Sequence, residues 1–69
     1  MLEKAYTIFM LRERFLKIYA NLPINLREEI ISVLPEIGSI TWNIAYIEVK
    51  QQTKLSDEIL KKLNELGII

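Results

Sequence analysis

The 69 residues contain no cysteine and no histidine, which excludes disulfides, thiolate or imidazole metal ligands and the catalytic triads that depend on a histidine base. Nine Lys and Arg balance nine Asp and Glu, so the chain lacks the basic excess that is typical of a dedicated nucleic-acid binder. No apolar run approaches the roughly 18 residues that a membrane span requires, and we expect a single cytoplasmic domain over 1–69 with no membrane partner.

The first predicted element is a helix over about residues 2–20. Ile8, Leu11 and Phe15 recur at helical spacing and form one apolar face. Neither glycine nor proline interrupts this pattern before Pro23, and the residue before a proline is pushed out of helical geometry.

A second helix is predicted over about residues 25–34. Asn25 is a suitable N-cap, and Glu28 occupies the third helical position, where its carboxylate meets the positive end of the helix. Pro35 ends or kinks this helix, and Gly38 suits a left-handed terminator.

The third segment, residues 39–53, fits two structures. Alternation of large apolar residues from Ile40 to Tyr46 favours a strand, but the same residues also fit a helix with Ser39 as its N-cap. A lone strand leaves its backbone groups unpaired, and no second strand pattern is evident. The helix is therefore the preferred prediction.

The last predicted helix covers about residues 56–66, with Ser56 as its N-cap. Gly67 fits the left-handed position after the helix, which brings Ile68 back to Leu63. Four short helices with short connections predict an all-α fold, a compact bundle of three to four helices.

The sequence contains no motif that is typical of catalysis, metal binding or phosphate binding. Glu28 and Glu29 are adjacent, so their side chains point about 100° apart on a helix. Gly38 and Gly67 are isolated and form no phosphate-binding loop. We therefore expect no enzyme activity, no cofactor and no metal site.

Helix 2–20 has more apolar residues than one core-facing stripe requires. A second stripe docks a partner chain on one interpretation, and on the other it is buried because this helix is central in the bundle. Aromatic and Met residues are enriched at interfaces. The candidate interface residues are Tyr6, Phe9, Leu16, Tyr19, Trp42 and Tyr46. The leading hypothesis is a non-catalytic helical protein-protein interaction module, either a small accessory subunit of a larger enzyme or complex or a self-associating dimer.

Basic residues also cluster along the first two predicted helices, but Glu13 and Glu28 interleave with them. This pattern favours ion-paired surfaces and at most weak contact with nucleic acid. The candidate contacts are Arg12, Arg14, Lys17 and Arg27. The alternative function is a nucleic-acid-associated factor, such as a small accessory subunit of a DNA replication or repair enzyme, with a helix-turn-helix between Pro35 and Lys54. The use of Glu and Lys as the main charged residues resembles hyperthermophile composition.

Overall fold

The computed structural model describes the backbone of residues 2–69 and the side chains from Tyr6 onward. Its elements in chain order are α1 (Leu2–Ala20), a short 3₁₀ turn (Ile24–Leu26), β1 (Ile30–Leu34), β2 (Gly38–Thr41), α2 (Trp42–Gln51) and α3 (Lys54–Glu65). The two strands form one antiparallel hairpin, in which Leu34 pairs with Gly38. A register shift between Ile30 and Ser32 makes a bulge in β1.

The all-α prediction is wrong, because this hairpin occupies the end of the helix predicted over 25–34 and the start of the helix predicted over 39–53. The predicted helix over 25–34 is replaced by the 3₁₀ turn and by β1, in which three of the five residues are β-branched and suit a pleated strand. Pro35 disfavours helical geometry at Leu34. Gly38 does adopt a positive φ of 98°, but it begins β2 and does not end a helix.

The predicted helix over 39–53 is wrong at its first residues. Residues up to Thr41 belong to β2, and α2 begins only at Trp42. The N-cap is Thr41 and not Ser39, because the Thr41 Oγ1 accepts the backbone N–H of Ile44 at 3.1 Å. The sequence alone argued against a strand in this segment, because no second strand was evident to pair with it. β1 is the strand that pairs with it.

The helix α3 begins two residues before its predicted start at Ser56. Thr53 is the cap, since its Oγ1 accepts the N–H of Ser56 at 3.0 Å. The hydroxyl of Ser56 instead donates to the backbone oxygen of Thr53 at 2.6 Å.

Two local predictions are confirmed. The first helix covers Leu2–Ala20. At the end of α3, Gly67 has a φ of 74°, and the N–H of Ile68 donates to the Leu63 oxygen at 2.9 Å. This is the hydrogen bond of a Schellman ending.

The core lies where the three helices meet. Phe15, Val49 and Ile59 are completely enclosed there. The hairpin closes one side of this core, because β1 packs against α3 and β2 against α2. The buried apolar residues are Ile8, Leu11, Phe15, Tyr19, Leu34, Ile40, Trp42, Ala45, Val49, Ile59, Leu60 and Leu63. Within the described residues, no helix combines the length and the hydropathy needed to cross a membrane.

Candidate interaction surfaces

The structure divides the six candidate interface residues between surface and core. Two are well exposed, two are half-buried and two are buried. In that order they are Tyr6 and Phe9, Leu16 and Tyr46, and Tyr19 and Trp42. The candidates therefore do not share one environment, because Tyr6 and Phe9 lie in solvent and Tyr19 and Trp42 belong to the core.

The exposed group lies on α1, on the side turned away from the core. Phe15 has none of its surface accessible, whereas Phe9 is 51% exposed and Tyr6 is 65% exposed. Phe9 and Leu16 are seven residues apart, so they lie almost along one line of the helix. Leu16, however, packs against the core. We therefore define the α1 outer surface as Tyr6, Phe9 and Met10, which are exposed.

The described side chains of α1 divide between the core and solvent. Ile8, Leu11, Phe15 and Tyr19 are buried, whereas Tyr6, Phe9 and Met10 retain between 38% and 65% of their surface.

The buried group is held by an aromatic stack. The rings of Tyr19 and Tyr46 lie 4.2 Å apart and are almost parallel, at 4°. The guanidinium of Arg27 sits 4.5 Å from the centroid of the Tyr19 ring, and the Lys50 ammonium lies 5.7 Å from the Tyr46 ring. A cation near an aromatic face is attracted to it, so this stack joins α1 to α2 and to the connection before β1.

Hydrogen bonds fix the same region. The Tyr19 hydroxyl donates to the Asn43 Oδ1 at 2.6 Å, and the Asn43 Nδ2 donates to the Glu28 Oε1, also at 2.6 Å. The backbone N–H of Asn43 donates to the Arg27 oxygen at 3.0 Å. Sequence reasoning missed Asn43, because nothing local in the sequence indicates a partner 24 residues away.

The four candidate nucleic-acid contacts do not form one basic surface. Arg12 and Arg14 are two residues apart on a helix, so their side chains point about 200° from each other. Arg14 and Lys17 are exposed. The Nε atoms of Arg12 and Arg27 are enclosed by protein, which limits the reach of both side chains toward a ligand.

The helix-turn-helix expected between Pro35 and Lys54 is wrong, because the hairpin turn, β2 and a single helix, α2, occupy that range. A helix pair follows the hairpin instead. Only Gln52 and Thr53 separate α2 from α3, and Gln52 reverses the chain with a φ of 54°. The first two turns of α3 carry both signs of charge. Asp57 and Glu58 lie between Lys54 and Lys61.

One pocket and the distribution of acidic side chains bear on catalysis and metal binding. A pocket of about 270 Å³ lies beside the hairpin turn, and its charged lining residues are Glu36 and Glu58. Across the residues that the structure describes, no three acidic side chains gather as a metal ion would require. Comparison with known protein families, curated proteins and solved structures found no match to this chain. Its own surfaces are therefore the basis for a functional argument.

Proposed function

We propose that this chain is a non-catalytic interaction module that binds another protein chain through the α1 outer surface. The observation that supports the proposal is the exposure of Tyr6 and Phe9 on a helix whose opposite face forms the core. Soluble monomers rarely leave clustered apolar side chains in water, and such clusters mark interaction sites. Tyr, Phe and Met are also the residues that interface centres favour.

The energetics agree with this role. Full burial of a large apolar side chain contributes about 1.5–3 kcal/mol, and Phe9 and Tyr6 each retain at least half of their surface for a partner. Both side chains are attached to a helix that the core holds in place through Leu11 and Phe15. A rigid platform loses little conformational entropy when it binds, which favours association.

The test uses Phe9→Glu and a matched control. Tagged wild-type chain and variants are purified from the native source under gentle conditions, and the stoichiometric chains that accompany each one are identified by mass spectrometry, including untagged copies of this chain. We expect Phe9→Glu to lose the accompanying chain. Ile24→Glu, a change at a residue that is 79% exposed and off this surface, keeps it.

Circular dichroism and thermal melts complete the test. Phe9→Glu keeps a wild-type spectrum, because changes at exposed sites usually alter stability by less than about 0.5 kcal/mol. Tyr19→Glu buries a charge beside the core and unfolds the chain. A wild-type chain that retains no partner, or a Phe9→Glu variant that keeps its partner, would contradict the proposal.

Nucleic-acid binding is a second candidate function, which the short connection between α2 and α3 favours. In a helix-turn-helix, the second helix enters the major groove with its first residues against the bases. Those residues of α3 include Asp57 and Glu58, which repel phosphate, so this arrangement supports only weak contact.

Fluorescence anisotropy with generic duplex DNA tests this candidate. We expect weak binding that moderate salt abolishes, because phosphate contacts depend steeply on ionic strength. If α3 makes the contact, Lys54→Gln weakens binding more than Lys17→Gln does, a matched change at an exposed lysine on α1. Tight binding at physiological salt would make nucleic acid the principal ligand.

A further inference from the structure

We infer that β1 pairs with an extended segment of another protein, in which Lys or Arg residues flank a short apolar stretch, and that this segment adds a third strand to the hairpin. The site is separate from the α1 outer surface and goes beyond the proposed function. Addition of a strand to an open sheet edge is a recurring way in which a folded domain binds a peptide.

The edge of β1 that faces away from β2 has no neighbouring strand, because within the described residues the sheet consists of β1 and β2 alone. The Leu34 oxygen accepts the Ile37 N–H at 3.2 Å in the turn, so the backbone groups of Leu34 point toward β2. Successive residues of a strand turn their backbone groups to opposite sides, and those of Val33 therefore point away from β2. Val33 is 63% exposed. Its N–H and C=O are thus open to hydrogen bonds from another extended backbone.

The strand β1 lacks two features with which proteins usually protect such an edge. Charged side chains and proline discourage pairing with a further chain, but Ile30–Leu34 contains neither. The bulge between Ile30 and Ser32 lies at the beginning of the strand and leaves its second half regular. Ile30 and Val33 are well exposed, so apolar side chains of an added strand gain cross-strand contacts there.

Charge determines what flanks the added segment. Residues 28–41 contain Glu28, Glu29 and Glu36 but no Lys or Arg, so this region carries three negative charges in a chain whose net charge is zero. Glu29 precedes β1, Glu36 follows it, and both are exposed. Basic residues on either side of the added segment therefore meet a carboxylate at each end of β1. A second copy of β1 would instead bring the same glutamates together, and their repulsion favours a different protein as the occupant.

The pocket beside the hairpin turn provides a place for one of the basic side chains. It has a volume of about 270 Å³ and includes Leu34, the last residue of β1, so a segment paired with β1 reaches it. Pro35 and Ile37 give it an apolar lining, and Glu36 and Glu58 give it two carboxylates. A Lys or Arg side chain matches both, because it combines an aliphatic stem with a cationic end.

Fluorescence anisotropy with the purified chain and labelled peptides tests the pairing. The peptide has Lys-Lys at each end of Val-Thr-Val-Thr-Val, and we expect a Kd below about 1 mM. Replacing its central Val by Pro removes a backbone donor that an added strand needs, and replacing its lysines by Glu reverses its charge. Each change should weaken binding at least about tenfold. Equal binding of the proline peptide would overturn strand addition, equal binding of the Glu peptide would overturn the basic flanks, and no binding of the Lys peptide would overturn both.

Variants of the protein locate the site. Val33→Pro removes the N–H that points away from β2, a position at which edge strands tolerate proline, whereas Val33→Thr keeps this donor. Val33→Pro should bind the Lys peptide at least about tenfold more weakly than the wild type, and Val33→Thr should bind it equally well. Loss of binding in Phe9→Glu but not in Val33→Pro would place the peptide on α1 and overturn the proposal.

A pair of charge variants covers the case in which Val33→Pro does not fold, which circular dichroism reveals. Glu36→Gln should weaken binding about threefold, the size expected for one exposed ion pair, and Glu65→Gln, at an exposed residue near the end of α3, should not. Equal effects of the two changes would contradict a site at the hairpin. A wild-type dimer in sedimentation that Val33→Thr keeps and Val33→Pro loses would make a second copy the occupant and overturn the proposal.

Discussion

The helices α1 and α3 pack against the same core, but they differ in what they present to solvent. In α3 the buried residues lie on one side, and the residues on the other side are charged. The buried set is Ser56, Ile59, Leu60 and Leu63, and the exposed charged set is Lys54, Glu58, Lys61 and Glu65. The outer side of α3 therefore presents charge to solvent.

In α1, apolar residues point in two directions. Phe15 points into the core, and Phe9 points into solvent. Tyr46 and Arg27 lie on Tyr19, which belongs with Phe15 to the core-facing side of the helix. The two helices therefore differ in how much apolar side-chain surface they leave in water.

The largest effect that separates the two directions of α1 is expected from Phe15→Ala. Removing a completely buried aromatic side chain typically costs about 3–5 kcal/mol, which is a large part of the stability of a small domain. Phe9→Ala should cost far less in dilute protein, because half of that side chain is already in water. Urea denaturation followed by circular dichroism measures both. Similar costs for the two variants would mean that α1 has no solvent-facing apolar side.

A smaller effect is expected at the start of α3. Thr53 Oγ1 accepts the N–H of Ser56 at 3.0 Å, and its hydroxyl donates to the Glu48 Oε1 at 2.7 Å. Thr53→Ala should therefore lower the free energy of unfolding by about 1 kcal/mol. Thr53→Ser keeps a capping hydroxyl and should recover most of the loss. If Thr53→Ala is as stable as the wild type in urea denaturation, Thr53 does not cap α3.

The sequence predicted the elements that depend on neighbouring residues. The helical spacing of Ile8, Leu11 and Phe15 indicates α1 correctly, and Gly67 followed by an apolar residue indicates the end of α3. Both signals act within one or two helical turns, so no distant contact is needed to interpret them.

The hairpin depends on contacts that the local pattern does not contain. Residues 30–34 fit a strand as well as a helix, and the decision comes from pairing with Gly38–Thr41 across the turn after Pro35. The burial of Tyr19 is similar, since it requires Arg27 and Asn43 to return to the end of α1. The exposure of Tyr6 and Phe9 was an expectation of the interface hypothesis, and only the fold separates them from Tyr19.

The smallest expected effects compare the outer sides of α1 and α3 directly. Tyr6→Ala and Lys61→Ala both change exposed residues, so each should alter the free energy of unfolding by less than about 0.5 kcal/mol in dilute protein. Thermal melts over a range of protein concentrations should then separate them. Binding of a partner chain stabilises the folded state by mass action. If that partner is a copy of this chain, Tm rises with concentration for the wild type and for Lys61→Ala. The rise should be smaller for Tyr6→Ala, because Tyr6 contributes to the contact and Lys61 does not. Equal rises in all three proteins would show that Tyr6 adds nothing to association.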